Sequence, residues 1–183
     1  FKVIDAEKME ELVESVKQYG ILVPAIVRER AEGGYELISG HRRHHAAVLA
    51  GLEEMPVIVK KCDDDESTVI MVDANIQRED ISVSEKAKAY RMKYDAMKHQ
   101  GASGGISLAE MSESAGESRK TIQRLIYLSN LTEELLELID NKKIGIAQGV
   151  DLAFISKEEK EVVFRVMQKT GVFINMEQSA RIK

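Results

Sequence analysis

A short basic segment, GHRRHHA at positions 40–46, contains the side chains of this sequence best suited to binding or catalysis. A glycine between a strand and a helix leaves backbone N–H groups free at the helix N-terminus, where the helix dipole favours an anion. Arg42 and Arg43 add permanently charged donors that form paired hydrogen bonds with phosphate. We therefore interpret this segment as an anion cradle.

Two other chemistries use the same residue types. His41 and His45 have the i, i+4 spacing of a zinc site, but the adjacent arginines would place positive charge beside the metal, and the segment offers no cysteine or acidic third ligand. Ser39 with a histidine would make a nucleophilic pair, but no acidic partner or oxyanion pattern accompanies them. His44 and His45 fit ordinary helix-surface positions better.

A second polar cluster and an acidic run lie near position 70. In DANIQRED at 73–80, Asn75, Gln77 and Arg78 offer amide and guanidinium contacts for a triphosphate; the alternative is an ordinary polar helix C-terminus. The acids at 63–66 suit a helix N-terminus with a solvated face better than a metal site.

Composition favours a globular chain. The 183 residues are 44% hydrophobic and 31% charged, without an apolar run of membrane-spanning length or a signal-peptide pattern, and the single cysteine, Cys62, suits a reducing cytosol. Because the sequence does not begin with methionine, we expect a truncated piece of a longer protein.

The net charge is −5, but residues 1–80 carry −7 and residues 81–183 carry +2, so the second part is the better candidate for contact with nucleic acid.

The elements that position the cradle alternate between helix and strand. A helix ending at Gly20 precedes two strand-like runs separated by Glu32-Gly33-Gly34, then the helix of the basic segment, a third strand in MPVIVKKC, and a helix opened by the acids. We predict an α+β protein: a small α/β domain over residues 1–80, then an all-α domain over 81–156 and a helical segment over 157–183.

The all-α part contains a helix-turn-helix spacing. A long helix after Ser82 or Ser84 is followed by GASGG at 101–105, which we predict to be a flexible connector, and then by short helical runs. Ser112, Gly116 and Ile122 match the small, glycine and apolar positions of the motif. The second helix then exposes side chains able to contact phosphates and base edges: Ser118, Arg119, Lys120, Thr121, Gln123 and Arg124. An ordinary packed helical hairpin is the alternative.

These segments together resemble the ParB/RepB family of partition proteins. SVKQYGILVPAIVRE is similar to its first conserved box, GGYELISGHRRHHAAVLAGLEEMPVIV to its glycine-Glu-Arg-Arg box, and ANIQRED to its Glu-Asn-x-x-Arg box, followed by a helix-turn-helix. The resemblance implies a ParB- and sulfiredoxin-like first domain that binds CTP with magnesium. The implied CTP site consists of Gly40, His41, Arg42, Arg43, Asn75 and Arg78, with Asn75 also at the metal.

The resemblance also implies cellular partners. The second domain would bind a palindromic centromere-like site on double-stranded DNA, and nucleotide binding would close a dimeric clamp that slides on DNA. A ParA-type ATPase would be the motor for chromosome or plasmid segregation. The protein would be cytoplasmic and associated with the nucleoid, and it would not bind a membrane.

The departures from the family pattern bear on activity. His41 stands where the family usually has Glu, His45 where it often has Arg, and Ala74 replaces the Glu implicated in metal binding and hydrolysis. Asp73 is no simple substitute, because one residue along a helix rotates the side chain by about 100°. We expect weak or no CTP hydrolysis, with a nucleotide-independent DNA-binding regulator as the alternative.

Two enzymatic alternatives are disfavoured. Sulfiredoxin chemistry needs a cysteine within the segment that here reads Ser39-Gly40-His41-Arg42, and Cys62 is followed by acids that disfavour its thiolate. A nuclease would need a clustered carboxylate metal site, for which the acids at 63–66 are the one dense run.

Overall fold

The computed structural model describes residues 6–78, 81–101 and 104–183. The chain divides into two compact units that meet in sequence at Ala74 and Asn75. The predicted domain limits at 80/81 and 156/157 stay predictions.

The first unit has the predicted alternation of helices and strands. Its elements are α1 (Ala6–Tyr19), β1 (Ala25–Glu29), β2 (Tyr35–Ser39), α2 (His41–Leu49), β3 (Val57–Val59) and α3 (Asp64–Ile76), the last of which continues just past the division. The strands form a sheet in the order β2-β1-β3. The helix-and-strand content confirms the predicted α+β class.

Strand β1 occupies the centre of this sheet. It pairs antiparallel with β2 through the predicted glycine turn, where the Arg30 N–H donates to the Gly34 carbonyl at 3.0 Å. It pairs parallel with β3, with Ala25 opposite Val57. Because Ala25 is fully buried in a closely packed core, a larger side chain on a residue beside the start of β1 would clash with it.

Helices α1 and α2 pack against each other. Met9 and Val16 of α1 and Ala46 of α2 form a buried apolar cluster. Helix α1 ends where expected, because Gly20 adopts a left-handed conformation with φ of 70° and its N–H donates to the Val16 carbonyl. Burial of α2 against both α1 and β1 fixes the start of α2, where the basic segment lies.

Among its described residues the second unit contains helices joined by short turns and loops, without a strand, as predicted. Its helices are α4 (Val83–His99), α5 (Gly104–Ala115), α6 (Arg119–Leu128), α7 (Glu133–Asp140), α8 (Ile146–Ala153), α9 (Lys157–Thr170) and α10 (Met176–Ile182). Ser82 caps α4, accepting a hydrogen bond from the Glu85 N–H at 3.2 Å. Helix α4 contacts α5, α6 and α7, and α8 contacts α6, α7 and α10.

The structure corrects one boundary in this unit. Helix α5 begins at Gly104, so the C-terminal end of the predicted GASGG connector is helical, while residues 102 and 103 lie outside the described residues. Glycine disfavours a helix by about 1 kcal/mol relative to alanine, and packing of α5 on α4 and α6 outweighs that preference. Within the described parts of the chain, no helix combines the length and apolar content needed to cross a bilayer.

Candidate nucleic-acid interface and anion cradle

Helices α5 and α6 form the predicted helix-turn-helix. Gly116 takes the left-handed turn conformation with φ of 68°, and the Ser112 hydroxyl donates to the Glu117 carbonyl at 2.6 Å, which ties the end of α5 to the turn. Ser118 caps α6 by accepting from the Thr121 N–H at 3.1 Å. The turn and the cap together fix the direction in which α6 leaves α5.

One side of α6 is anchored in the core. Ile122 is fully buried, and Leu125, Ile126 and Leu128 lie beside it in the buried face. Lys86 of α4 pairs with Glu117 of the turn at 3.1 Å. Because the buried face and the turn are both held, the opposite face of α6 is presented as a rigid surface.

The exposed face of α6 carries the predicted DNA-binding side chains. All six are exposed: Ser118, Arg119, Lys120, Thr121, Gln123 and Arg124. The three cations among them form no ion pair with any described residue, whereas Lys88 on α4 is paired with Glu133 at 2.6 Å. Unpaired cations beside a helix N-terminus give this surface a positive potential suited to phosphate.

The basic segment begins α2 in a geometry that only glycine fits. Gly40 has φ of 105°, in the left-handed region. A Cβ added there would lie 2.8 Å from the Ala25 Cβ, so the chain at the start of α2 approaches β1 too closely for a side chain. The start of α2 is therefore packed closely against β1, which fixes the position at which the basic segment begins.

The two arginines play different parts. Arg43 donates through Nη1 to the Val23 and Pro24 carbonyls, at 2.6 Å for Pro24, while its Nη2 stays 3.4 Å from where a Gly40 Cβ would be. Its guanidinium is thus anchored beside Gly40 and oriented by the backbone before β1. Arg42 is half-buried and its Nε is a buried donor without a hydrogen-bond partner. Such an unsatisfied buried donor costs about 1–3 kcal/mol.

The three histidines of the segment are exposed on α2. Within the described residues, no group of three or more His, Cys, Asp or Glu side chains could hold a metal ion.

The acidic run at 63–66 caps α3: the Glu66 N–H donates to Asp63 Oδ1 at 2.8 Å, and the Asp63 N–H donates to Glu66 Oε2 at 3.0 Å. Asp64 also pairs with Arg28 of β1 at 2.6 Å, and hydrogen bonds to the carboxylates of Glu36 and Asp64 raise the pKa of Arg28.

Asn75 and Arg78 lie at the end of α3. Asn75 is in the last turn of the helix and half-buried, and its carbonyl accepts from the Arg78 N–H at 3.2 Å. Both belong to the second compact unit, whereas Gly40, Arg42 and Arg43 belong to the first. Their role in the CTP site stays a prediction.

Few side chains at these positions could ligate magnesium. Asn75 offers one amide oxygen, and Ala74, which is exposed, offers no carboxylate. Magnesium prefers an octahedral set of oxygen ligands, commonly carboxylates together with substrate phosphates and water. These residues therefore do not make a metal site of their own, and magnesium stays a prediction from the family resemblance.

Two side-chain contacts at these candidate sites were not predicted from the sequence. The anchoring of Arg43 on the Val23 and Pro24 carbonyls depends on tertiary folding and has no local signal. The contact of Gln123 with Tyr127 on α6, at 3.1 Å, does have a local sequence signal, because residues four apart lie on one face of a helix.

Comparison with known proteins agrees with this geometry. A family model for the ParB N-terminal domain matches residues 1–76, and one for the ParB HTH domain matches residues 79–181. The chain is 29% identical over 175 residues to the chromosome-partitioning protein Spo0J of Thermus thermophilus, covering 96% of this chain and 62% of that protein. It is 31% identical over 169 residues to the probable chromosome-partitioning protein ParB of Vibrio cholerae, covering 92% and 55%.

A solved structure shares the fold. The C-terminally truncated chromosome-partitioning protein ParB of Caulobacter crescentus, complexed to the centromeric parS site, is similar with a TM-score of 0.62 and 22% identity, covering 100% of this chain and 89% of that one. The chain spans 62% and 55% of the length of the Thermus and Vibrio relatives.

Proposed function

Because the chain belongs to the ParB family, we propose that it is a partition protein that binds a centromere-like DNA site and is gated by CTP. The observation that carries the DNA-binding part is the face of α6, where exposed Arg119, Lys120 and Arg124 have no acidic partner among the described residues. The similar Caulobacter protein is complexed to a centromeric parS site. We propose a site of the same kind for this chain.

In this proposal α6 is the reading helix. Its N-terminus and its cations contact phosphates and orient the helix in the major groove, while exposed polar side chains reach base edges. A palindromic site requires two copies of the helix related by two-fold symmetry, so the chain acts as a homodimer on DNA. A ParA-type ATPase as motor and association with the nucleoid complete the proposal.

DNA binding is tested by removing single cations from α6. We expect Lys120→Ala and Arg124→Ala to weaken binding to a selected duplex, and to reduce the slope of log K against log salt by about 0.9 for each lost phosphate contact. Lys157→Ala, which removes an exposed cation from α9, serves as the charge-matched control and should leave both quantities nearly unchanged. Unchanged affinity in both α6 variants would refute α6 as the reading helix.

The nucleotide part rests on the cradle at the start of α2. The helix N-terminus that follows Gly40, the half-buried Arg42 and the anchored guanidinium of Arg43 would together hold a triphosphate. Bound CTP would supply negative charge that neutralises the arginines and stabilises one arrangement of the dimer, closing the clamp. His41, Asn75 and Arg78 are the remaining proposed contacts.

Nucleotide binding is tested by calorimetric titration of CTP against ATP, GTP and UTP, with magnesium and with or without DNA. We expect selective CTP binding that Arg42→Ala abolishes. Arg30→Ala removes an arginine of the same unit that is paired with Glu32 at 2.7 Å, and should bind CTP normally. Loss of binding in both variants would point to general damage rather than to the cradle.

We further propose that CTP hydrolysis is weak or absent, because Ala74 supplies no carboxylate for a metal or a water. Phosphate release measured with CTP and DNA should stay close to the uncatalysed rate. Turnover comparable to that of an ordinary family member, abolished by Arg43→Ala, would contradict this.

The same observation favours a second candidate function. With Ala74 in place of an acid, the chain would act as a nucleotide-independent, sequence-specific DNA-binding regulator of a plasmid or mobile element, with a vestigial CTP pocket. Specific DNA binding without binding of any nucleotide, under either titration condition, would establish it.

A further inference from the structure

The amide of Gln123 is held in place within the reading face of α6. Gln123 is exposed, and its Nε2 donates to the Tyr127 hydroxyl at 3.1 Å. The two residues are one helical turn apart, so this contact lies along the exposed face rather than across it. An exposed glutamine otherwise samples several rotamers, and here one of them is selected.

Tyr127 is itself held by a neighbouring helix. Its ring lies 4.9 Å from the ring of Phe154, at an interplanar angle of 59°, and Phe154 caps the C-terminus of α8. The Lys183 ammonium lies 4.6 Å from the centre of the Phe154 ring, and Lys183 also pairs with Asp151 at 3.5 Å. These contacts fix the tyrosine hydroxyl at a defined position beside α6.

The remaining hydrogen-bonding groups of Gln123 form a specific pattern. An amide nitrogen has two hydrogens, and Tyr127 accepts one of them. The second N–H and the carbonyl oxygen have no partner among the described residues, which leaves one donor and one acceptor on the same amide. Adenine presents the complementary pair in the major groove, an N6–H donor and the N7 acceptor, whereas guanine presents two acceptors.

Resting on the proposed DNA-binding function, we propose that Tyr127 is a positioning residue that orients Gln123 to read an adenine in each half-site. Ordering the side chain before DNA arrives lowers the entropy lost on binding, which strengthens the preference for the correct base. Tyr127 does not contact the base in this arrangement. It acts through Gln123.

The experiment uses the complete chain and a randomised duplex library. The selected site is then substituted one base pair at a time, and affinities are measured for wild type, Tyr127→Phe, Gln123→Ala and the double variant. Tyr127→Phe removes the hydroxyl and keeps the ring against Phe154, so thermal stability should not change. Lys120→Ala serves as the control that weakens binding to all sequences alike.

We expect Gln123→Ala to abolish the preference for adenine at one position of each half-site. Tyr127→Phe should lower that same preference by about 2- to 10-fold, the range for losing one neutral hydrogen bond. Affinity for unrelated DNA and the salt slope should stay at wild-type values, and the double variant should match Gln123→Ala.

Three outcomes would overturn the inference. One is a Gln123→Ala variant that keeps every base preference, and another is a Tyr127→Phe variant whose preferences equal those of wild type. The third is a uniform loss of affinity in Tyr127→Phe, which would indicate a purely structural role. If wild type selects no site at all, the proposed DNA-binding function has failed; if Lys120→Ala weakens binding while Tyr127→Phe changes nothing, only the positioning role has failed.

Discussion

Gly40→Ala should destabilise the first unit far more than an ordinary glycine substitution. An alanine at φ of 105° would be in the left-handed region, which costs about 1–2 kcal/mol. Its Cβ would also be 2.8 Å from the Ala25 Cβ and 3.2 Å from the Ala25 Cα, and relieving such overpacking costs about 1–3 kcal/mol. Because Ala25 is fully buried in the central strand, it has no open space to move into. The expected total is about 2–5 kcal/mol.

Gly51→Ala is the matched control, since Gly51 follows the other end of the same helix. It also has a left-handed backbone, with φ of 75°, but a Cβ there would meet no atom within 4 Å. Only the backbone cost of about 1–2 kcal/mol should appear. The difference between the two variants therefore isolates the contact with β1.

Amide hydrogen exchange of peptides from β1 and α2 is the suitable assay. The chain has no tryptophan, and its two units need not unfold together, so a local measurement is preferable to a global one. Each 1.4 kcal/mol of lost local stability speeds exchange about tenfold, so Gly40→Ala should exceed Gly51→Ala by about 5- to 150-fold. Equal effects of the two substitutions would refute the close approach of α2 to β1.

The second unit yields further expectations. In Gly149→Ala the new Cβ would lie 2.6 Å from a methyl of Ile139 and 2.7 Å from a methyl of Leu128, an overpacking that costs about 1–3 kcal/mol. Alanine also favours the helix by about 1 kcal/mol over glycine, so the expected net loss in urea unfolding is about 0–2 kcal/mol. A clear gain in stability would show that these contacts of α8 are looser than described. Ser156→Ala should cost about 1 kcal/mol in the same assay, because Ser156 caps α9 in a reciprocal capping box. Glu159 of that box has its pKa lowered below 4.5 by hydrogen bonds from Ser156, so its stabilising effect is present above pH 4.5 and is lost as the pH falls through the lowered value. Glu159→Gln, which removes the titrating carboxylate, should therefore show a weaker loss of stability on acidification, and an unchanged acid dependence would contradict the role of the box.

Much of the fold could be predicted because its signals are local. The glycine turn between β1 and β2, the end of α1 at Gly20, and the caps at Ser82 and Ser118 each depend on a few consecutive residues. The helix-turn-helix was recognisable because Gly116 and the buried Ile122 have a fixed spacing. The exposed face of α6 follows from helical periodicity once its buried face is known.

Helices α8 and α10 lie in regions predicted to be helical but were not predicted as separate helices, because their stability comes from packing. Helix α8 has the sequence IAQGVDLA, whose internal Gly149 disfavours a helix in isolation. In the fold, Gly149 admits side chains of Leu128 and Ile139 where any larger residue would clash. Helix α10 is only seven residues long, and Ser179 docks it on α8 by donating to Asp151 at 2.9 Å. Short helices of this kind are marginal without tertiary contacts.

The sequence by itself determined which side chains this protein can use for binding. It supplies the basic segment after Gly40 and the polar face of α6, and it has no acid at Ala74. Only the tertiary structure decided how these side chains are used, because Arg43 is anchored by carbonyls about twenty positions earlier in the chain, and Tyr127 is held by Phe154 at the C-terminal end of α8. The physical reason is that periodicity and capping act over a few residues, whereas orienting a long polar side chain requires partners that folding brings together from distant positions.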